Sequence, residues 1–148
     1  MSRELPTAPS LVKVRSVHQI EITSRCNLAC DYCISPAIFK HDKDDRKAGV
    51  EPRRPWQDME TESYLRALEH VRYHVREGTQ RELNIAGVGE STLHSHFAEF
   101  VGMAREAVGP GVTLTLATNG LIVTPEITAA LVAARVEVSV SLHRPERA

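Results

Sequence analysis

The run CNLACDYC, residues 26–33, holds every cysteine of the chain: Cys26, Cys30 and Cys33. Three thiols stand within one short stretch, spaced Cys-x3-Cys-x2-Cys, and the rest of the 148 residues has none. In a reducing compartment, thiols this close together point to metal ligation or catalysis rather than to a disulfide framework. Structural zinc prefers four closed ligands, usually in two separated pairs. A zinc site would have to add a histidine such as His18 or His41, and neither has a recognisable partner spacing. Ferredoxin-type clusters use four cysteines, commonly with a distant fourth. A cubane [4Fe–4S] cluster held by only three leaves one iron open to bind something else.

The surroundings are those of an ordinary soluble domain. The chain is 42% hydrophobic and 25% charged, with a formal net charge of -1. That balance does not indicate a polyanion-binding surface, so nucleic acid is not an expected partner. No run approaches the length of a membrane span, and the first residues, MSRELPTAPSLVK, lack the apolar core of a signal peptide. A cytoplasmic location is expected.

Residues 1–14 read as a loosely ordered lead-in with Pro6 and Pro9, and residues 15–148 as one core domain. Within it, strand and helix patterns alternate. HQIEIT at 18–23 reads as a strand. At 58–75, Tyr64, Leu65, Leu68, Val71 and Val75 recur at helical spacing, with Gly78 just past the end. ELNIA at 82–86 is a strand; HFAEFVGMAREAV at 96–108 carries a helical stripe of Phe97, Phe100, Val101, Ala104 and Val108. VTLTLAT at 112–118 is a strand, and Thr124-Pro125-Glu126 supplies an N-cap with proline at the first helical position. The helix at 126–134 and the strand VEVSVSLH at 136–143 follow. The order βαβαβαβ predicts an α/β fold with a parallel sheet and right-handed crossovers.

The strands alternate strictly, as in Val136, Val138, Val140 and Leu142 against Glu137, Ser139, Ser141 and His143. Parallel strands covered on both faces are instead near-continuous apolar runs. One apolar and one polar face predict a sheet curled like a barrel around a polar lumen, or a half-open sheet facing solvent. Glu21 and Glu137 belong to the polar face. Residues 34–58 form a long mixed-charge loop, expected as a lid, a substrate-binding loop or a disordered segment, with Trp56 anchoring its far end. His70 and His74 have i, i+4 spacing but no acidic partner in register, and are read as solvated surface.

The spacing of Cys26, Cys30 and Cys33, the aromatic Tyr32 and the preceding EITSR together resemble the radical S-adenosylmethionine (radical SAM) enzymes. The resemblance covers about residues 15–143. It implies a partial parallel (β/α) barrel, and a [4Fe–4S] cluster ligated by the three cysteines, with S-adenosylmethionine as cosubstrate on the open iron. Reductive cleavage then gives a 5′-deoxyadenosyl radical that abstracts hydrogen from a substrate. Tyr32 is placed beside the adenine. The family's Gly-x-Gly-Glu string, which contacts the methionyl amino group, matches Gly87, Gly89 and Glu90; Ser91 stands where proline is usual. The two glycines also allow a tight turn with exposed N–H groups.

Thr118, at the carboxyl end of its strand, lies on the edge where α/β sheets bind ligands. Ser141 matches the family's fourth-strand serine that contacts the ribose or carboxylate, with Ser139 and His143 on the same column. Asn119-Gly120 reads as a turn.

The family's core has six βα units, so this chain is expected to be truncated after the fourth strand, as the N-terminal fragment of a longer enzyme. Auxiliary clusters have no further cysteines to bind. A low-potential electron donor such as a flavodoxin or ferredoxin, and an unidentified small-molecule or peptide substrate, are the implied partners. The alternative is a zinc- or iron–sulfur-binding module without catalysis, a carrier or sensor.

Overall fold

The computed structural model describes residues 15–28, 30, 33 and 56–142. The expected lead-in at 1–14, most of the 34–58 loop, Tyr32, His41 and His143 lie outside the described residues.

Three strands, β1 (Glu82–Asn84), β2 (Thr113–Thr118) and β3 (Val136–Val140), pair in parallel in the order β1-β2-β3. Helix α1 (Thr61–Arg76) precedes β1, α2 (Phe97–Val108) joins β1 to β2, and α3 (Pro125–Ala133) joins β2 to β3. Sequential parallel strands joined by crossovers of one hand put their helices on one face. The described sheet is open, not a closed barrel.

The expected ends hold for local reasons. Thr124 Oγ1 accepts from Ile127 N at 3.1 Å with Pro125 beginning α3. Gly78, at φ 67°, takes the left-handed turn that ends α1. Arg135 makes a similar turn after α3 at φ 50°, a conformation more strained for a residue with a Cβ.

The expected strand at 18–23 contributes a single parallel bridge, Gln19 opposite Asn84. Ile20 N donates to Asn84 O and Asn84 N donates to His18 O, both at 2.9 Å. Ile85 N turns the other way, to Thr115 O, so this segment lies along β1 on the edge away from β2. Its continuation gives its hydrogen bonds to residues 57–59 instead: Met59 N donates to Ile22 O at 2.8 Å and Ser24 N to Gln57 O at 2.9 Å. At its start the buried Gln80 side chain substitutes for a strand, accepting from Val17 N at 3.0 Å and donating to Val17 O at 2.6 Å.

One core joins Ile20 and Ile22, Leu83 and Ile85, Leu114 and Leu116 to the helical stripes. At its centre Tyr64 and Phe100 stack with centroids 4.1 Å apart, and Tyr64 Oη donates to Phe100 O at 2.9 Å. Burial raises the Tyr64 pKa. The other face of the sheet carries Asn84, Thr113 and Thr115, half-buried, and the exposed Glu137 and Ser139.

Two helical residues depart from the pattern. Leu65, expected in the stripe, is exposed, whereas His74, expected at the surface, is buried. The chain after α1 folds back over His74: its Nδ1 lies 3.1 Å from Thr79 Oγ1, and its carbonyl accepts from Thr79 N and Gln80 N.

The β3–α3 edge is much less covered. Val138 and Val140 are 42% and 51% exposed, and α3 buries only Ile127. A groove of about 380 Å³ runs between them, lined by Leu116, Ile122, Leu131 and Val136 among others.

Candidate active site

The carboxyl end of the sheet brings three separate segments together: residues 23–28 with the first cysteine, the Gly87–Glu90 loop after β1, and Thr118-Asn119 at the end of β2. The glycines serve close approach. Neither Gly87 nor Gly89 has positive φ. A Cβ on Gly89 would meet the backbone of the cysteine loop, 2.7 Å from Arg25 O and 2.9 Å from Ser24 C as well as against Thr23 O. A Cβ on Gly87 would overlap the Glu21 side chain. Beside the expected tight turn, the glycines serve contact: these loops touch only because no side chain intervenes.

Glu90 is 3% exposed, and both oxygens of its carboxylate accept hydrogen bonds from the protein. Oε1 accepts from Thr92 Oγ1 and Thr118 Oγ1, each at 2.7 Å, and from Thr92 N at 3.3 Å. Oε2 accepts from Asn119 N at 2.7 Å. Burying a carboxylate is costly unless such bonds replace its water. Glu90 N donates to Arg25 O at 2.7 Å, which joins this hub to the cysteine loop. Ser91, in place of the usual proline, donates from Oγ to Ile85 O at 3.0 Å and so closes the loop by a hydrogen bond.

Cys26, Cys30 and Cys33 are half-buried and are not joined in a disulfide. Leu28 N donates to Cys26 Sγ at 3.4 Å, and Cys33 N to Cys30 O at 3.0 Å, so the loop folds back on itself at both described ends. No three His, Cys, Asp or Glu side chains among the described residues are gathered as a metal-binding group. The fit of an iron–sulfur cluster therefore rests on the donors themselves: three soft thiols on a single loop, none of them in a disulfide. His18, the described histidine a zinc site would need, has Nε2 2.9 Å from Ser16 Oγ and belongs to no such group.

Of the other expected site residues, Thr118 is buried, with its hydroxyl donating to Glu90 and accepting from Gly120 N at 3.1 Å. Ser141 is exposed one residue beyond β3, its N–H donating to Thr118 O at 2.8 Å. Gly87, Gly89, Glu90, Thr118 and Ser141 thus share one end of the sheet, while Tyr32 lies outside the described residues.

The structure adds residues that the motif reading passed over. Asn119 Nδ2 donates to Asn27 Oδ1 at 2.7 Å across a separation of 92 residues. Asp58 pairs with Arg25, accepting from Nε at 3.0 Å and from Nη2, and accepts from Thr23 Oγ1 at 2.5 Å. His94 is buried against Phe100; Nδ1 accepts from His96 N at 3.1 Å, which leaves Nε2 to donate to Met59 O at 3.1 Å. No local pattern marks the pairs Asn119–Asn27, Arg25–Asp58 and His94–Met59, since the partners in each are distant in sequence.

Known proteins place this arrangement. The Radical SAM superfamily model matches residues 20–147. The tungsten-containing aldehyde ferredoxin oxidoreductase cofactor-modifying protein of Pyrococcus furiosus is 31% identical over 108 residues, which are 73% of this chain and 25% of that protein. Among solved structures, BtrN in complex with AdoMet and 2-DOIA superposes with a TM-score of 0.66 at 22% identity, over 91% of this chain and 48% of BtrN. BtrN in an open conformation superposes at 0.56 with 21% identity, over 82% of this chain and 47% of that one. The chain thus spans a quarter of the curated relative and about half of each BtrN chain. With the family model matched across most of its length, and with the cysteine loop seated against the glycine loop at the carboxyl end of a parallel sheet, the chain belongs to the radical SAM superfamily.

Proposed function

We propose that this chain forms the part of a radical SAM enzyme core that holds the cluster and the cosubstrate. One observation carries the reading: the loop bearing all three cysteines is joined directly to the Gly87–Glu90 loop through Glu90 N and Arg25 O. Cys26, Cys30 and Cys33 would hold the [4Fe–4S] cluster and leave one iron for S-adenosylmethionine. When bound, the reduced cluster supplies the electron for cleavage of the sulfonium and hence the 5′-deoxyadenosyl radical.

The protein's own part is placement. The Glu90 carboxylate is committed to Thr92, Thr118 and Asn119, so this loop meets the cosubstrate's methionyl amino group through its backbone. Thr118 supports Glu90 from β2, and the exposed Ser141 is offered to the ribose or carboxylate. Tyr32 is assigned to the adenine by its place in the motif. A low-potential flavodoxin or ferredoxin in a reducing cytoplasm is the fitting electron source. The hydrogen donor is a small molecule or peptide. No helix among the described residues is long and apolar enough to cross a membrane.

Anaerobic reconstitution tests the proposal. The protein should take up about four irons per chain, as a cubane requires, and release 5′-deoxyadenosine when reduced with S-adenosylmethionine. Cys30→Ala should lose both properties. Stoichiometric zinc without iron would replace this reading with a zinc-stabilised module. A redox-active cluster whose spectrum ignores S-adenosylmethionine would leave an electron carrier or sensor.

A further inference from the structure

We infer that Asn119 is a positioning residue that holds the cysteine loop to the Glu90 hub, and that Asn27 is its receiving partner. The inference rests on the cluster reading above, and deepens it.

Asn119 bonds both the Glu90 carboxylate and the cysteine loop. Its backbone N–H donates to Glu90 Oε2 and its side-chain Nδ2 to Asn27 Oδ1, each at 2.7 Å. Its remaining side-chain atom, Oδ1, accepts from Leu121 N at 3.0 Å, which fixes the amide's orientation and leaves Nδ2 as the donor toward Asn27. Glu90 in turn is held from β2 by Thr118, so Asn119 hangs from the rigid end of a core strand rather than from a free loop.

The position of Asn27 gives this bond its consequence. Asn27 lies between Cys26, whose sulfur accepts a hydrogen bond, and Leu28, whose N–H donates it at 3.4 Å. Pinning the residue between them sets the backbone that aims Leu28 N–H at the sulfur. Hydrogen bonds to ligand sulfurs tune cluster potential, and partners beyond the ligands affect how firmly metal is held. An Asn-Gly pair at the end of a strand is explained by a turn alone. A turn does not require a side-chain donor aimed at the residue next to a ligand cysteine.

The test uses anaerobically reconstituted protein and two readouts, the rate of iron release to a chelator and the midpoint potential of the cluster. Asn119→Ala keeps the backbone N–H to Glu90 and removes only the side-chain bonds. Asn27→Ala removes the same bond from the other side. Each should release iron about three- to tenfold faster than wild type, the range expected for one lost hydrogen bond. Both should move the midpoint potential in the negative direction. The double variant should be no faster than the faster single, because one bond cannot be lost twice. Asn27→Asp, which keeps the acceptor, should release iron at the wild-type rate.

Wild-type release from Asn119→Ala, multiplied factors in the double variant, or Asn27→Asp behaving like Asn27→Ala would each overturn the inference. Failure of the wild-type protein to take up iron would instead overturn the cluster reading, and this inference with it.

Discussion

At the amino end of the sheet a cation gathers carbonyls; at the carboxyl end an anion gathers N–H and O–H groups. Arg105, near the end of α2, donates from Nε to Ala134 O at 2.6 Å and from Nη1 to Gly109 O at 2.6 Å and Val112 O at 3.0 Å. Those carbonyls belong to the turns around α2, β2 and α3. Desolvation first, and then the charge of Arg135, lower the Arg105 pKa. Glu90 does the converse with Thr92, Thr118 and Asn119, and its backbone reaches the cysteine loop. Both hubs replace lost hydration with charge-assisted hydrogen bonds. The difference lies in what is tied: turns between consecutive elements at one end, the cysteine and glycine loops at the other. Stability should depend on both ends, while the cofactor site should depend on the carboxyl end alone.

The most severe test of that division is Arg105→Ala, which should cost about 3 kcal/mol, since several carbonyls lose a charged donor. Denaturant unfolding measures the loss, and the folded fraction should keep full iron uptake. Reduced iron in that fraction would break the comparison. Glu90→Gln puts an NH2 where one oxygen now accepts, and should cost about 2 kcal/mol. Here iron retention should fall as well, and iron per folded chain decides the point. Thr118→Val removes a single bond to Glu90 and should cost about 1 kcal/mol in the same unfolding assay. Arg25→Ala breaks a pair whose side chains are 45% and 33% exposed. It should cost under about 1 kcal/mol, and less at high salt. A larger, salt-independent loss would mean that the Arg25–Asp58 pair is a third hub.

The strand and helix order was legible because each element carries its own periodicity and stop signals. Tyr64, Leu68 and Val71 read as a buried stripe from spacing alone, and Thr124-Pro125 marked the start of α3. The segment at 18–23 was less so: its alternation is strand-like, but its later partners are residues 57–59, which no strand pattern announces. His74 went unrecognised as buried because the chain that covers it comes from beyond the helix. At the site, the cysteines and the glycine string stood out by composition and spacing. The use made of them did not. Gly87 and Gly89 suggested a turn, and they are also needed so that Glu21 and the backbone of residues 23–25 can lie against them.

By itself, the sequence determined the α/β order, the apolar stripes and three soft donors on one loop, because periodicity and local chemistry are properties of neighbouring residues. Only the tertiary structure decided that Glu90 would face inward to Thr118 and Asn119, and that Asn119 would reach Asn27. Those bonds join residues far apart along the chain, and form only after the parallel sheet has brought its carboxyl ends together.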